Sequence, residues 1–334
     1  GGDLRKRPSV DMRARPFTAA DTDRWDQMVP SCAGGSILHT RGFLEYHGDR
    51  FIERSLVIED ANGKACGLFP IASHRDAPEI AISHPGATFG GLLLRANGSL
   101  SGTEEAFEAG FEALRMDGVE QLHYTPPPVF LSSQPNQIDI HLMTRYGAAV
   151  DAASISSVAE IRHPLRPTKG RKAGISRGAR SGLTTTIGRT AKDYERFHEL
   201  LVETLQSRHK AKPIHDLNQM NDLRERLGPN AFLILVTDEA KQLAAGCWVF
   251  QLTPFAWHTQ YIASTDAGRA CSAVEYMIDQ TLDRAREAGA HYFSLGTSAA
   301  DNNQGIDRNL FAFKSHFGFG SIILWRFLLN LDTV

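Results

Sequence analysis

Apolar and polar positions alternate between helical and strand periods along the whole chain. Residues 25–29 and 41–47 read as short helices ahead of the β-branched run 55–59, which ends in the turn Asp60-Ala61-Asn62-Gly63. The apolar run 65–71 directly after that Asn-Gly predicts a hairpin. A third strand is expected near 87–94. Phe107, Phe111 and Leu114 then recur at helical spacing over 103–117, and Gly118 stops the pattern. A strand at 120–124, the breaker Pro126-Pro127-Pro128 and a helix ending near Tyr146-Gly147 follow.

The second half repeats this grammar at larger scale. An amphipathic helix at 193–208 precedes a strand at 232–237, a turn at 239–242 and a return strand at 244–251. The next strand is 255–263; a long helix at 273–288 is closed by Gly289, and a strand follows at 291–295. Each half thus reads as strand, turn, strand, strand, helix, strand, which predicts a mixed α/β (α+β) fold. The chain has 334 residues, 42% of them hydrophobic and 22% charged, and that length favours two domains. Such a pattern defines a fold class and leaves the function open.

Charge and cysteine usage narrow the picture. A formal net charge of -2 argues against a protein that grips nucleic acid over its whole surface. Cys32, Cys66, Cys247 and Cys271 are scattered, with no CxxC pair and no histidine at zinc spacing, so no metal site is expected and a reducing cytoplasm fits best. The basic residues Arg5, Lys6, Arg7, Arg13 and Arg15 are not followed by an apolar stretch, which is unlike a signal peptide, and no run reaches the ~20 apolar residues of a membrane span. One local anomaly stands out. Residues 162–189 carry Arg162, Arg166, Lys169, Arg171, Lys172, Arg177, Arg180 and Arg189 with no acidic residue. Contacts to the phosphates of a tRNA or nucleotide-linked acceptor, or a solvated helix face, both account for it. Gly170, Gly174, Gly178 and Gly182 recur every four residues in this stretch, which implies either close backbone packing against a neighbouring unit or a segment only partly helical.

Four motifs, in this order, carry a family resemblance. KGRKAGISRGARSG at 169–182 resembles the basic interdomain helix of the FemAB/FemX peptidyltransferases and of related polysaccharide-associated acyltransferases. HKAKPIHD at 209–216 is similar to the family's His-Gly to Arg/Lys-Pro segment. The third is the strand, loop STDAGRACS, helix and Ser294-Leu295-Gly296 of 261–296, and GIDRNLFAFKSHFG at 305–318 resembles the family's terminal Phe-Lys and Phe-Gly signature. In the first half, Ser83-His84-Pro85-Gly86 to Gly90-Gly91 and Tyr124-Thr125-Pro126-Pro127-Pro128 resemble the polysaccharide-associated branch.

The resemblance implies two tandem GNAT-type domains flanking a cleft: an acceptor-side unit over 1–150, completed by 319–334, and a unit over 151–318 holding donor and reaction centre. It implies an N-acyltransferase that forms an amide on the amine of a small or nucleotide- or sugar-linked acceptor, in cell-envelope or natural-product biosynthesis. The donor is an aminoacyl-tRNA or an acyl-CoA, and no tightly bound cofactor is implied. An ordinary GNAT acetyltransferase carries Gln or Arg before Gly-x-Gly or Gly-x-Ala ahead of its long helix, whereas this chain has Gly268-Arg269-Ala270-Cys271-Ser272-Ala273.

Residue by residue, the expectations are these. Lys314 stabilises the oxyanion, with a surface lysine as the plain alternative. His316 is a base for the acceptor ammonium, unless alternation on a strand puts both on a solvated face. Tyr261, His258 and Glu275 are proton-relay candidates, each also readable as a half-buried polar tip. Arg269, Cys271, Ser272 and Ala273 present backbone N–H groups to a donor phosphate, or form an ordinary helix start with Ser272 as N-cap. Arg171 and Arg177 contact the donor. His39, His84, Thr88 and Lys212 line the acceptor side, where His39 is equally readable as a structural histidine and His84–Gly90 as a turn. The rival from another class is a non-catalytic tandem module that binds a nucleotide or tRNA.

Overall fold

The computed structural model describes residues 12–95, 98–209, 211–299 and 305–334. The chain divides into two compact units, Gly1–Ala153 with Leu324–Val334, and Ser154–Ile323.

In the first unit, β1 (Arg13–Pro16), α1 (Thr22–Met28) and α2 (Arg41–Leu44) precede β2 (Phe51–Glu53), β3 (Leu56–Glu59) and β4 (Ala65–Phe69). The β3–β4 turn forms where Asn-Gly predicts it. Asp60 Oδ1 accepts the N–H groups of Asn62 and Lys64 at 2.9 and 3.0 Å, and Gly63 takes the left-handed φ of 73° that closes the turn. β5 (Ala72–His74), β6 (Ala77–Ile82), β7 (Leu93–Leu94), α3 (Leu100–Met116), β8 (Gln121–Tyr124) and α4 (Ile138–Arg145) follow. The expected strand at 87–94 shrinks to β7. Gly90 lies so close to the Ser83 carbonyl that a Cβ would sit 1.9 Å from its oxygen, and Gly91 has φ 94°, so the chain loops there instead of extending. β1, β3, β4 and β7 form one sheet; β8, β6, β5 and β2 neighbour one another in a second. Phe69, Phe107, Phe111, Leu122 and Tyr124 fill the core between these strands and α3.

β9 (Ala149–Glu160) leads into the second unit. Its elements are α5 (Lys169–Ala179), β10 (Thr184–Gly188), α6 (Ala191–His209), α7 (Leu217–Leu227), β11 (Ala231–Thr237), β12 (Leu243–Thr253), β13 (Ala256–Ser264), α8 (Asp266–Ala270), α9 (Ala273–Glu287), β14 (Tyr292–Thr297) and α10 (Arg308–Ser315). The strands run in the order β10-β11-β12-β13-β14-β9, antiparallel except for the parallel pair β13–β14. Ile234, Val236, Cys247, Val249 and Trp257 pack from one sheet face onto Met277, Ile278 and Leu282 of α9. β15 (Gly320–Asn330) returns to the first unit, where Phe327–Asn330 pair with β8.

The glycines at four-residue spacing acquire a packing role within this second unit. α5 is helical throughout, begun by the Thr168 side chain capping Arg171 N–H, and it lies on α9 through Gly174 and Gly178. A Cβ on Gly178 would approach Tyr276 Cβ to 2.6 Å and the Ser272 carbonyl oxygen to 2.8 Å, whereas one on Gly170 would meet nothing within 4 Å. Gly182 lies beyond the helix at φ 68°. Among the described residues no helix is long and apolar enough to cross a membrane.

This packing predicts opposite outcomes for two chemically identical changes. Gly178→Ala should destabilise by about 1–3 kcal/mol, because the methyl has to displace backbone. Gly170→Ala should be neutral or stabilising by up to about 1 kcal/mol. Denaturant midpoints of the two variants provide the comparison.

Candidate functional site

The second unit opens where its two parallel strands part. β13 and β14 pair only over Ala256–His258 against Tyr292–Ser294, after which β13 continues to Ser264 and β14 to Thr297. A bulge aims the side chains at this point. Trp248 pairs with Tyr261 and Val249 with Thr259, so Gln260 is an extra residue in β13. His258 pairs with Phe250, and Phe250 lies on the same face of β12 as Trp248. The bulge therefore places His258 and Tyr261 on one face of the sheet, which regular alternation would forbid.

Lys314 meets this region from α10. That segment is a helix because Asp307 accepts the N–H groups of Asn309 and Leu310, both at 2.9 Å, and it ends before Gly318, whose φ is 89°. The expected strand alternation of Lys314 and His316 is thus replaced by helical geometry: Lys314 is 5% exposed, while His316 is an exposed C-cap whose carbonyl accepts Thr168 N–H. Lys314 Nζ donates to the carbonyls of Gly296, at 3.1 Å, and Thr297, at 2.5 Å. Burial pulls its ammonium down to about 8, against an opposing pull from Asp307. An ammonium has three N–H bonds; the third has no partner among the described residues.

A second polar chain ends at the same glycine. Gly296 N–H donates to Ser294 Oγ at 3.1 Å, and that hydroxyl is bonded to His258 Nδ1 at 3.0 Å. Desolvation first, and the nearby Lys314 cation second, push His258 down to about 4, so the imidazole is neutral near pH 7. Tyr261 stacks on Trp248 with centroids 6.2 Å apart and bonds His215 Nδ1 through its hydroxyl at 2.8 Å. Sequence reasoning passed over His215, Ser294 and Gly296 as individual groups. They lie inside the quoted HKAKPIHD and Ser-Leu-Gly motifs, but only the tertiary contacts distinguish them.

The residues expected to hold the donor are dispersed into packing. Residues 268–273 form the end of α8, a left-handed Ser272 at φ 62° and the start of α9, rather than an open loop, and Ser272 makes no side-chain cap. Ser272 and Ala273 are buried, with Gly178 of α5 over the Ser272 carbonyl. Cys271 Sγ contacts the Gly268 carbonyl at 3.3 Å. Arg269 donates to Ser264 and pairs with Asp266, tying α8 to the end of β13. Arg171 and Glu275 pair with one another at 2.6 Å, and the Arg171 guanidinium lies 4.5 Å from the Phe313 ring centre and 4.4 Å from that of Phe317. Arg171 therefore straps α5 to α9 and to α10. Lys169, Lys172, Arg177 and Arg180 remain exposed along α5, and Lys212 is exposed ahead of α7.

The acceptor-side expectations fall in the first unit, apart from Lys212. His39 is fully buried, accepts Ser36 N–H at Nδ1 and bonds the Gly90 carbonyl through Nε2 at 3.1 Å. Both ring nitrogens are thus used by the fold, and the structural reading of His39 replaces the acceptor-binding one. His84 is also buried and bonds the Pro85 carbonyl, while Thr88 is exposed. Desolvation pushes both imidazoles down to about 4. Asp139 is the opposite case. Its carboxylate accepts the Tyr124 hydroxyl at 2.8 Å, yet burial dominates and raises it to about 6. No group of three His, Cys, Asp or Glu among the described residues is placed to hold a metal ion.

The chain has a FemX-like tandem GNAT fold. It superposes on FemX with a TM-score of 0.71 at 12% identity, covering 96% of this chain and 98% of that one. It is similar to L-PGS from Bacillus licheniformis, with a TM-score of 0.60 at 13% identity over 95% and 92% of the two chains. The tandem GNAT protein from the clavulanic acid biosynthesis pathway gives 0.53 at 13% identity over 96% and 98%. No protein-family model matches the sequence, and no curated protein matches it.

Two measurements check this description. Selective carbon-13 labelling of lysine side chains should reveal one amine titrating near pH 8, absent from Lys314→Met. In the first unit, His39 and His84 are lowered from 6.5 to about 4, so the stability they contribute is present above pH 6.5 and lost as pH falls towards 4. Asp139, raised from 3.8 to about 6, opposes this by favouring the folded state as pH falls through 6. Asp139→Asn should therefore raise stability at pH 7 by on the order of 2–3 kcal/mol and make its decline towards pH 4.5 steeper, as read by thermal unfolding.

Proposed function

We propose that the chain is an N-acyltransferase with its reaction centre at the parting of β13 and β14, and that it transfers an aminoacyl group from tRNA to the amine of a small or nucleotide-linked acceptor. The observation that carries this reading is the buried Lys314 ammonium, anchored on two backbone carbonyls and with no partner for its third N–H among the described residues. When an amine attacks an ester carbonyl, negative charge gathers on the carbonyl oxygen. A desolvated, pre-anchored cation stabilises that charge without having to reorganise. The neutral imidazole of His258 and the Tyr261–His215 pair, on the same sheet face as His258, supply polar tips for moving the proton that the attacking amine loses.

Two features support tRNA over coenzyme A as donor. The start of α9 is packed under α5, which leaves less room for a pyrophosphate at its N-terminal amides. The exposed face of α5 carries Lys169, Lys172, Arg177 and Arg180, a charge pattern suited to a polyanion. The four cysteines are free, which supports a reducing, cytoplasmic setting.

Incubation with a charged tRNA pool and an amine panel, read by mass spectrometry, tests the proposal against an acyl-CoA panel. Turnover should be abolished by RNase and fall steeply between 50 and 200 mM salt. Salt-resistant turnover releasing free thiol would identify the acyl-CoA donor instead. Lys314→Ala should lower kcat by about 10²–10³, and wild-type activity should decline above pH 8 as the ammonium is lost. Donor binding without turnover, unchanged in Lys314→Ala, would reduce the chain to a binding module.

A further inference from the structure

We infer that His258 and Ser294 are positioning residues for Lys314, acting in series through the backbone of Gly296. The inference rests on the reading of Lys314 as the cation of the reaction centre. It adds that the direction and protonation of this cation are set from β13, through its last cross-strand pair with β14. The polar links meet at Gly296 from both sides of its Cα: His258 Nδ1 to Ser294 Oγ at 3.0 Å and Ser294 Oγ to Gly296 N–H at 3.1 Å in one peptide unit, and Gly296 carbonyl to Lys314 Nζ at 3.1 Å in the next. One peptide unit away, Thr297 supplies the second carbonyl.

Gly296 is the joint of this arrangement. It sits at φ 72°, next to a register shift in the β14–β9 pairing between Ser294 and Gly296. A Cβ there would stand 3.1 Å from His258 Cε1, so the imidazole ring occupies the space a side chain would take. The ring thus limits the glycine from one side while the Ser294 hydroxyl holds its N–H from another. His258 and Ser294 are also the last cross-strand pair before β13 and β14 separate, so beyond them no ladder bond between these strands fixes the end of β14.

An apolar ring could fill the same volume, and two polar groups kept here are costly unless bonded to one another. Their bonded series therefore points to orientation of the Gly296 carbonyl and not to bulk packing. Among the described residues, the charged and titratable groups that act on Lys314 are Asp307 from the start of its own helix and His258 from β13, with the two carbonyls from β14. An acceptor bond stabilises the charged form of an amine, and losing it while burial is unchanged favours the neutral form.

The test follows the carbon-13 lysine signal of Lys314 in the full chain, a readout that requires neither donor nor acceptor. In Ser294→Ala and in His258→Phe, which keeps a ring but no polar link, the titration midpoint should fall by about one pH unit, a roughly tenfold loss of ammonium near neutrality. His258→Asn, whose amide can take the place of Nδ1, should restore most of the wild-type midpoint. Thermal unfolding of all three variants identifies any that fail to fold, and Ser294→Ala removes only one buried oxygen. A midpoint unchanged in both folded variants overturns the inference, as does a rise towards the ordinary lysine value, which would mean that the side chain is simply released. If the midpoint moves as expected but Lys314→Ala turns over like wild type, the positioning series stands and Lys314 loses its place as the cation of the reaction centre.

Discussion

A charged amine held almost entirely away from water is the constraint on which the second unit depends. Lys314 is tolerable there only because two carbonyls at the end of β14 face it, and these are available because β13 has already parted from β14. The separation of the strands, the left-handed Gly296 and the capped α10 are therefore parts of one solution to one electrostatic problem. Removing any of them leaves a cation without acceptors, or acceptors without a cation.

Around that centre, opposite charges are used as fasteners. Arg171 and Glu275 bind α5 to α9, and the same guanidinium rests on Phe313 and Phe317 beside Lys314. Arg269 fastens α8 to the end of β13. The basic stretch thus divides into an inner member that holds helices together and outer members, on the exposed side of α5, that stay free to meet an anion. Gly174 and Gly178 make the division possible, because only a helix without side chains at those positions lies close enough to α9 for Arg171 to reach Glu275.

Much of the architecture was legible from periodicity. The Asn-Gly hairpin, α3 with its Phe107-Phe111-Leu114 spacing, and the run from β11 to β14 all form where the pattern predicts. Short strands such as β2, β5 and β10 were not legible, since three to five residues carry too little alternation to stand above loops. The 87–94 run misled because its apolar residues are interrupted by glycines that serve close approach and a positive φ, not extension. At the site, Lys314 and Tyr261 could be named from motifs, but the helical state of 308–315 and the bulge at Gln260 decide what those side chains face. His215, Ser294 and Gly296 act through contacts across 18 to 46 positions of sequence, which no local window contains.

The division of the chain also orders its synthesis. Residues 154–323 form one uninterrupted unit, whereas the unit begun by the first 153 residues draws Phe327, Leu329 and Leu331, each at most 1% exposed, from beyond residue 323. On a ribosome, the half translated first lacks a strand beside β8 until the half translated second has emerged. The early segment must therefore wait with an open sheet edge, so the later unit can reach its complete set of contacts first.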